Sequence, residues 1–161
     1  MTIKRIILSF IILISSLSAI AGGIGTWKSY LSYANIQWVE QGGNRLYVLA
    51  SDALYTYNKA DQSIQTYDKQ NGLSSIDIRF IGWNEVAKRL VIVYEDNNID
   101  LMDAKGNVTN VPDYYLKALT ADKTVYGIDM NGAYCYLSTG FGLVKLNVAK
   151  AEISDSYNLS F

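Results

Sequence analysis

The chain has 161 residues and a formal net charge of −1, with 13 Tyr, 1 Pro, 1 Cys and no His. That length can bury one core of useful size, and the near-neutral charge lacks the basic footprint of a nucleic-acid binder. The lack of His removes the usual general base, the commonest zinc ligand and the ordinary pH switch.

In chain order, Lys4 and Arg5 precede the apolar run Ile6–Ile14, and Ala19-Ile20-Ala21 fits the small-x-small cleavage pattern. Residues 1–21 are therefore expected to be a secretory signal peptide, leaving Gly22 as the mature start. The apolar core is short for a membrane span of about 20 residues. No Cys stands directly after the cleavage site, as a lipoprotein would need, and no later segment is long and apolar enough to cross a bilayer. Residues 22–34 read as a lead-in.

The body then repeats. Leu46, Leu90 and Tyr134 each open an apolar run at steps of 44 residues. Leu54, Ile99 and Leu143 open a second run, and Tyr57, Met102 and Leu146 follow at matching steps. Asn58, Asp103 and Asn147 come next, placed to seed a turn by hydrogen-bonding the backbone two residues on. Upstream, Ile36 and Phe80 lie 44 apart, with Val125 close to the corresponding place. The middle copy predicts strands over 78–83, 89–95, 98–103 and 107–111. Apolar residues on both faces of Leu90–Tyr94 predict a strand covered on two sides. Asp100 and Asp103 interrupt the second run, which suits a strand nearer the rim. Four short strands per repeat of 40–50 residues is the signature of a β-propeller blade. The fold class is all-β: about three four-stranded antiparallel blades of a partial propeller. The blade-like repeats span 35–75, 76–122 and 123–161, the second with an extra polar stretch after Pro112. One four-stranded sheet cannot hide two apolar faces, so the blades must stack. Three blades fall short of a closed ring, which reads as the amino-terminal part of a longer protein.

Chemistry is sparse. Glu95, Asp96, Asp100 and Asp103 cluster around the hairpin turn of the middle copy, but their spacing does not match a calcium loop. A solvated turn is the simpler reading. Thr139-Gly140-Phe141-Gly142 lacks the strand-to-helix context of a phosphate loop, and a hairpin turn needing positive φ accounts for its glycines. Ser138 has no His to activate it. Cys135 sits in an apolar run and reads as a buried structural thiol. Trp27, Tyr30, Trp38, Tyr47, Tyr67 and Trp83 are among many aromatics, expected mostly to pack between blades. No catalytic residue, cofactor site or metal site is assigned.

Two sets of phrases go beyond generic blades. Asn71-Gly72-Leu73-Ser74-Ser75, followed by Ile78 and Phe80-Ile81, resembles the NGLS phrase of two-component-regulator propeller repeats. Those repeats build periplasmic sensor regions in Bacteroidetes. The ordered set GTWKSYLSY at Gly25–Tyr33, NGLSS, LVIVYEDNNIDLMD at Leu90–Asp103 and VTNVP at Val108–Pro112 resembles the PorZ-like β-propeller family of the type IX secretion system. Leu90–Tyr94 departs from the Leu-Trp-Ile-Gly-Thr strand of the sensor repeats, which favours the secretion family. That resemblance implies a non-catalytic propeller at the periplasm or outer-membrane cell surface. It implies a sortase-like partner and a role in attaching cargo to lipopolysaccharide, with lipopolysaccharide or glycan as a ligand. The alternative is the glycan-sensing propeller region of a hybrid two-component regulator.

Overall fold

The computed structural model describes residues 33–51 and 53–158. The expected signal peptide lies outside them, as do most of the expected lead-in, Trp27 and Tyr30. Among the described residues, three antiparallel sheets follow one another along the chain. The first holds β1 (Ile36–Gly42), β2 (Arg45–Ala50), β3 (Ala53–Asn58) and β4 (Ile64–Tyr67). The second holds β5 (Ile78–Asn84), β6 (Arg89–Tyr94), β7 (Ile99–Asp103) and β8 (Val108–Asn110). The third holds β9 (Val125–Asn131), β10 (Tyr134–Thr139), β11 (Gly142–Asn147) and β12 (Glu152–Asn158). Within each sheet the strands pair in chain order, and the first strands approach one another, β1 to β5 and β5 to β9. These strands form the shared inner edge. The one helix among the described residues is the single turn α1 (Asp113–Leu116), in the expected polar stretch. It buries Tyr114, whose hydroxyl donates to Lys123 O at 2.6 Å.

Burial explains the stacking. Leu90, Ile92 and Tyr94 point from β6 into a core shared with Tyr47, Leu49, Leu54 and Tyr67 of the first sheet. Val91 and Val93 point the other way, against Val125, Cys135, Leu137 and Val144 of the third. Both faces of β6 are thus covered, as its continuous apolar run predicts. Each such side chain contributes about 1.5–3 kcal/mol when fully buried. Tyr47, Tyr67 and Tyr94 are fully buried between sheets, and Trp83 stacks on Tyr47 at 5.3 Å between ring centroids. Trp38, in contrast, is exposed on β1. As expected, β7 lies nearer the rim than β6, but it is not exposed there: Ile99 to Met102 are all buried, Asp100 included.

Two spacings also need correction. Tyr134 pairs with Asn147 as Arg89 pairs with Asp103, so the counterpart of Leu90 is Cys135, one residue further on. Ile36, Ile78 and Val125 are the matching starts of the inner strands, so Phe80 corresponds to Trp38, not to Ile36. The cause of the second slip is a turn. The first hairpin of the outer sheets turns at residues 43–44 and 132–133, and that of the middle sheet at 85–88. Gly43 and Gly132, both with φ of 59°, supply the positive φ at the first position of the shorter turns.

Each inner strand carries a bulge at the same level. Gln37, Arg79 and Tyr126 are the extra residues, lying opposite the last pair or two of the neighbouring strand. All three Asx side chains cap their turns, Asn58 and Asp103 two residues on as expected and Asn147 three residues on. Asn58 accepts from Ala60 N at 3.1 Å, Asp103 from Lys105 N at 2.8 Å and Asn147 from Lys150 N at 3.0 Å.

Candidate functional site

The four carboxylates of the middle hairpin do not converge. Glu95 leaves the turn and pairs with Arg79 at 2.9 Å. Asp103 caps the next turn, accepting from Lys105 N, Asn107 N and Asn107 Nδ2. Burial alone would raise its carboxyl, but these hydrogen bonds outweigh it and hold the group below its usual 3.8. Asp96 accepts from Ser75 Oγ at 2.5 Å and from Asn98 N at 2.9 Å. Asp100 is fully buried, which corrects the reading of the whole cluster as a solvated turn. Its Oδ2 accepts from the Tyr94 hydroxyl at 2.6 Å and from Ser74 N at 2.8 Å, and its Oδ1 accepts from Asn110 Nδ2 at 2.8 Å. Burial and the adjacent Asp100 carboxylate push the Tyr94 hydroxyl far above its ordinary value, so it remains a donor. Among the described residues, no group of three or more His, Cys, Asp or Glu is placed to hold a metal ion.

The crossover from the first sheet to the second completes this arrangement. Asp68 Oδ1 accepts from Gln70 N and Asn71 N, and Asn71 Nδ2 donates to Thr66 O, which folds the start of the NGLSS phrase on itself. Gly72 takes φ of 130°, a region other residues avoid. Leu73 then enters the core between the sheets, and Ser74 and Ser75 bond to Asp100 and Asp96. The two phrases that carry the family resemblance therefore touch. NGLSS is a clasp, and the acidic hairpin is its catch. On the far side, Asn97 Oδ1 accepts from Val125 N at 3.2 Å, so one hairpin ties all three sheets.

The remaining expected features are structural. Gly142 has φ of 146°, as the hairpin reading requires, but Gly140 is explained differently: a Cβ there would lie 2.5 Å from Asp122 Oδ2. Cys135 is buried, and burial pushes its thiol up to about 12. Arg89 reaches across to the third sheet and donates to Val148 O at 3.2 Å.

The sequence reading missed the inner-edge mouth. Trp38, Arg79 and Glu95 border a groove of about 320 Å³ with Gln37, Leu49, Ile78 and Phe80. The Trp38 indole N–H donates to Glu40 Oε1 at 2.8 Å, and the Arg79 guanidinium carbon lies 5.9 Å from the Tyr126 ring centre. The available signal was the repeated Ile-x-aromatic triplet, Ile36-Gln37-Trp38 and Ile78-Arg79-Phe80.

Three four-stranded antiparallel sheets stacked around a common inner edge are consecutive blades of a β-propeller. The particular kind follows from comparison: the chain belongs to the family of PorZ N-terminal β-propeller domains of the type IX secretion system, whose family model matches residues 46–161. The chain is similar to the structure of PorZ, an essential bacterial surface component of the type IX secretion system of Porphyromonas gingivalis. Identity is 33% and TM-score 0.76, over 83% of this chain. The match spans only 18% of that PorZ chain. Extracellular domains of B. thetaiotaomicron regulators share the fold, for example a hybrid two-component system at 16% identity and TM-score 0.59, covering 84% of this chain and 19% of that one. AztD from Citrobacter koseri does so at 14% identity and TM-score 0.59, covering 78% of this chain and 34% of that one. Comparison with curated proteins gives no match.

Proposed function

We propose that the chain is an exported, non-catalytic docking domain of type IX secretion that supports attachment of cargo to lipopolysaccharide at the cell surface, beside a sortase-like partner. The observation that carries this reading is the family match, reinforced by the 33% identity to PorZ across most of the chain. The geometry suits docking. The described blades are tied by buried side chains and by the NGLSS clasp, so their loops sit on a rigid base. In this reading residues 1–21 are the export signal, and the mature chain begins at Gly22. The regulator domains share only the fold at 13–16% identity, so the sensor reading has no separate support.

The test is affinity purification of the tagged chain from cross-linked envelopes of the cells that encode it. Recovery of sortase-type and other type IX components, together with an amino terminus at Gly22, is the expected result. Recovery of histidine-kinase signalling components in their place would overturn the reading.

A further inference from the structure

We propose that the seam between the first two sheets is a binding site for a buried water that bridges Arg45, Tyr47 and Tyr67. The site is independent of the type IX reading. Three buried polar atoms there have no hydrogen-bond partner in the protein: Arg45 Nη1 and the hydroxyls of Tyr47 and Tyr67. The two tyrosines are only 0% and 2% exposed. Leaving such groups unpaired is costly, and buried polar atoms are paired with protein or with ordered water. All three lie around one turn of the second sheet, residues 103–107. Arg45 and Tyr47 stand two apart on β2 and so share the face that meets the second sheet, where Tyr47 stacks on Trp83. Tyr67 enters the same core from β4. Its hydroxyl abuts Gly106, where a Cβ would lie 2.7 Å from it. Arg45 lines a groove of about 440 Å³ with Trp83, Lys88 and Ala104. Burial pushes the Tyr47 hydroxyl above its ordinary 10.0, and Arg45, Tyr67 and Asp103 are all near enough to act on it.

The chemistry of the three groups selects the guest. Arg45 Nη1 can only donate, whereas each hydroxyl both donates and accepts. One water can therefore accept from Arg45 Nη1 and from one hydroxyl, and donate to the other. Buried waters make about three such bonds, which matches the three groups here. A halide would need all three groups as donors, and it would sit near the Asp103 carboxylate, whose charge opposes a second anion. A metal cation would meet the Arg45 guanidinium. Gly106, at φ of 93°, keeps the turn from filling the space with a side chain. The groove beside Arg45 gives solvent a way in. Bridged in this way, the first sheet grips the 103–107 turn by polar contacts where the rest of the seam is apolar.

Oxygen-17 relaxation dispersion of water on the full chain tests this, with Tyr47→Phe, Tyr67→Phe and the double variant beside the parent. The parent should hold at least one long-lived water that the double variant lacks. In urea unfolding each single variant should lower the folding equilibrium constant by about threefold to tenfold, because the water loses a bond. The double variant should fall by less than the product of the two, because one water serves both hydroxyls. Should a variant fail to fold, cross-peaks between water and the Tyr47 and Tyr67 ring protons in the parent decide, their presence supporting the site and their absence refuting it. A single variant as stable as the parent, or more stable, would mean that its hydroxyl is unbridged and would overturn the proposal. So would an unchanged number of long-lived waters in the double variant. A parent stability that rises when chloride replaces gluconate at constant ionic strength would assign the site to an anion instead, and would overturn it too.

Discussion

Asp100 is the residue whose removal tests the account of the clasp most directly. Its carboxylate is fully buried and serves three donors: the Tyr94 hydroxyl, Ser74 N and Asn110 Nδ2. Asp100→Ala leaves the Tyr94 hydroxyl and Ser74 N without that acceptor, while Asn110 Nδ2 keeps Asn98 Oδ1 and Ile99 O. Each orphan costs about 1–2 kcal/mol, so the variant should lose about 2–4 kcal/mol. That is a large share of the whole stability of a domain, about 5–15 kcal/mol. Asp100→Asn is the finer probe. Its one oxygen can still serve Tyr94 and Ser74, but its NH2 then faces Asn110 Nδ2. Asn110 cannot simply flip, because the same Nδ2 also donates to Asn98 Oδ1 and Ile99 O. A loss of about 1–3 kcal/mol is expected from this donor against donor. Tyr94→Phe should cost about 1–2 kcal/mol, and combining it with Asp100→Asn should give less than the sum, because both remove parts of one network. Urea unfolding followed by tryptophan fluorescence measures all three. If Asp100→Asn is as stable as the parent, or Asp100→Ala loses under about 1 kcal/mol, the carboxylate is not the catch described here.

Other outcomes follow from the contacts between sheets. A Cβ at Gly42 would lie 2.6 Å from the Trp83 ring, which is itself stacked on Tyr47, so Gly42→Ala should lose about 1–3 kcal/mol in the same unfolding assay. Gly82→Ala meets the flexible end of Met130 at 2.6 Å and Ile128 Cδ1 at 3.0 Å, so its loss should be the smaller of the two. Ser75→Ala removes the bond to Asp96 and should cost about 1–2 kcal/mol. Cys135 has its thiol raised from 9.0 to about 12, chiefly by burial. The neutral thiol is the form that folding favours, so its contribution is fully present below about pH 9 and is lost as pH rises towards 12. Native protein should therefore resist thiol alkylation at pH 8, and the same reagent should label it fully in urea.

The parts of the fold that were legible share a physical cause. β6 announces itself because Leu90 to Tyr94 is apolar without a break, and only a strand buried on both sides needs that. The same feature hides register. When both faces are apolar the period-two signal vanishes, so nothing in Tyr134-Cys135-Tyr136-Leu137 shows which residue matches Leu90. The turn residues fare better: Asn58, Asp103 and Asn147 act locally, within three residues of their partners, and local chemistry is what a sequence displays.

Asp100 and Arg79 mark the other side of that boundary. Asp100 looks like its neighbour Asp96 in sequence, yet it is buried because Ser74, 26 residues earlier, crosses over it. Its acceptor oxygens are used by groups from a crossover, from its own hairpin and from β8, and no local pattern encodes that sum. Arg79 looks like an ordinary surface cation until the bulge at its position is seen beside those at Gln37 and Tyr126. A bulge is a statement about pairing partners, and the partners of Tyr126 lie on β10. The clasp and the groove also divide the work differently. The clasp centres on the buried Asp100, whose two carboxylate oxygens are both engaged, which makes it rigid and chemically quiet. The groove keeps its rings and guanidinium partly exposed on that rigid base.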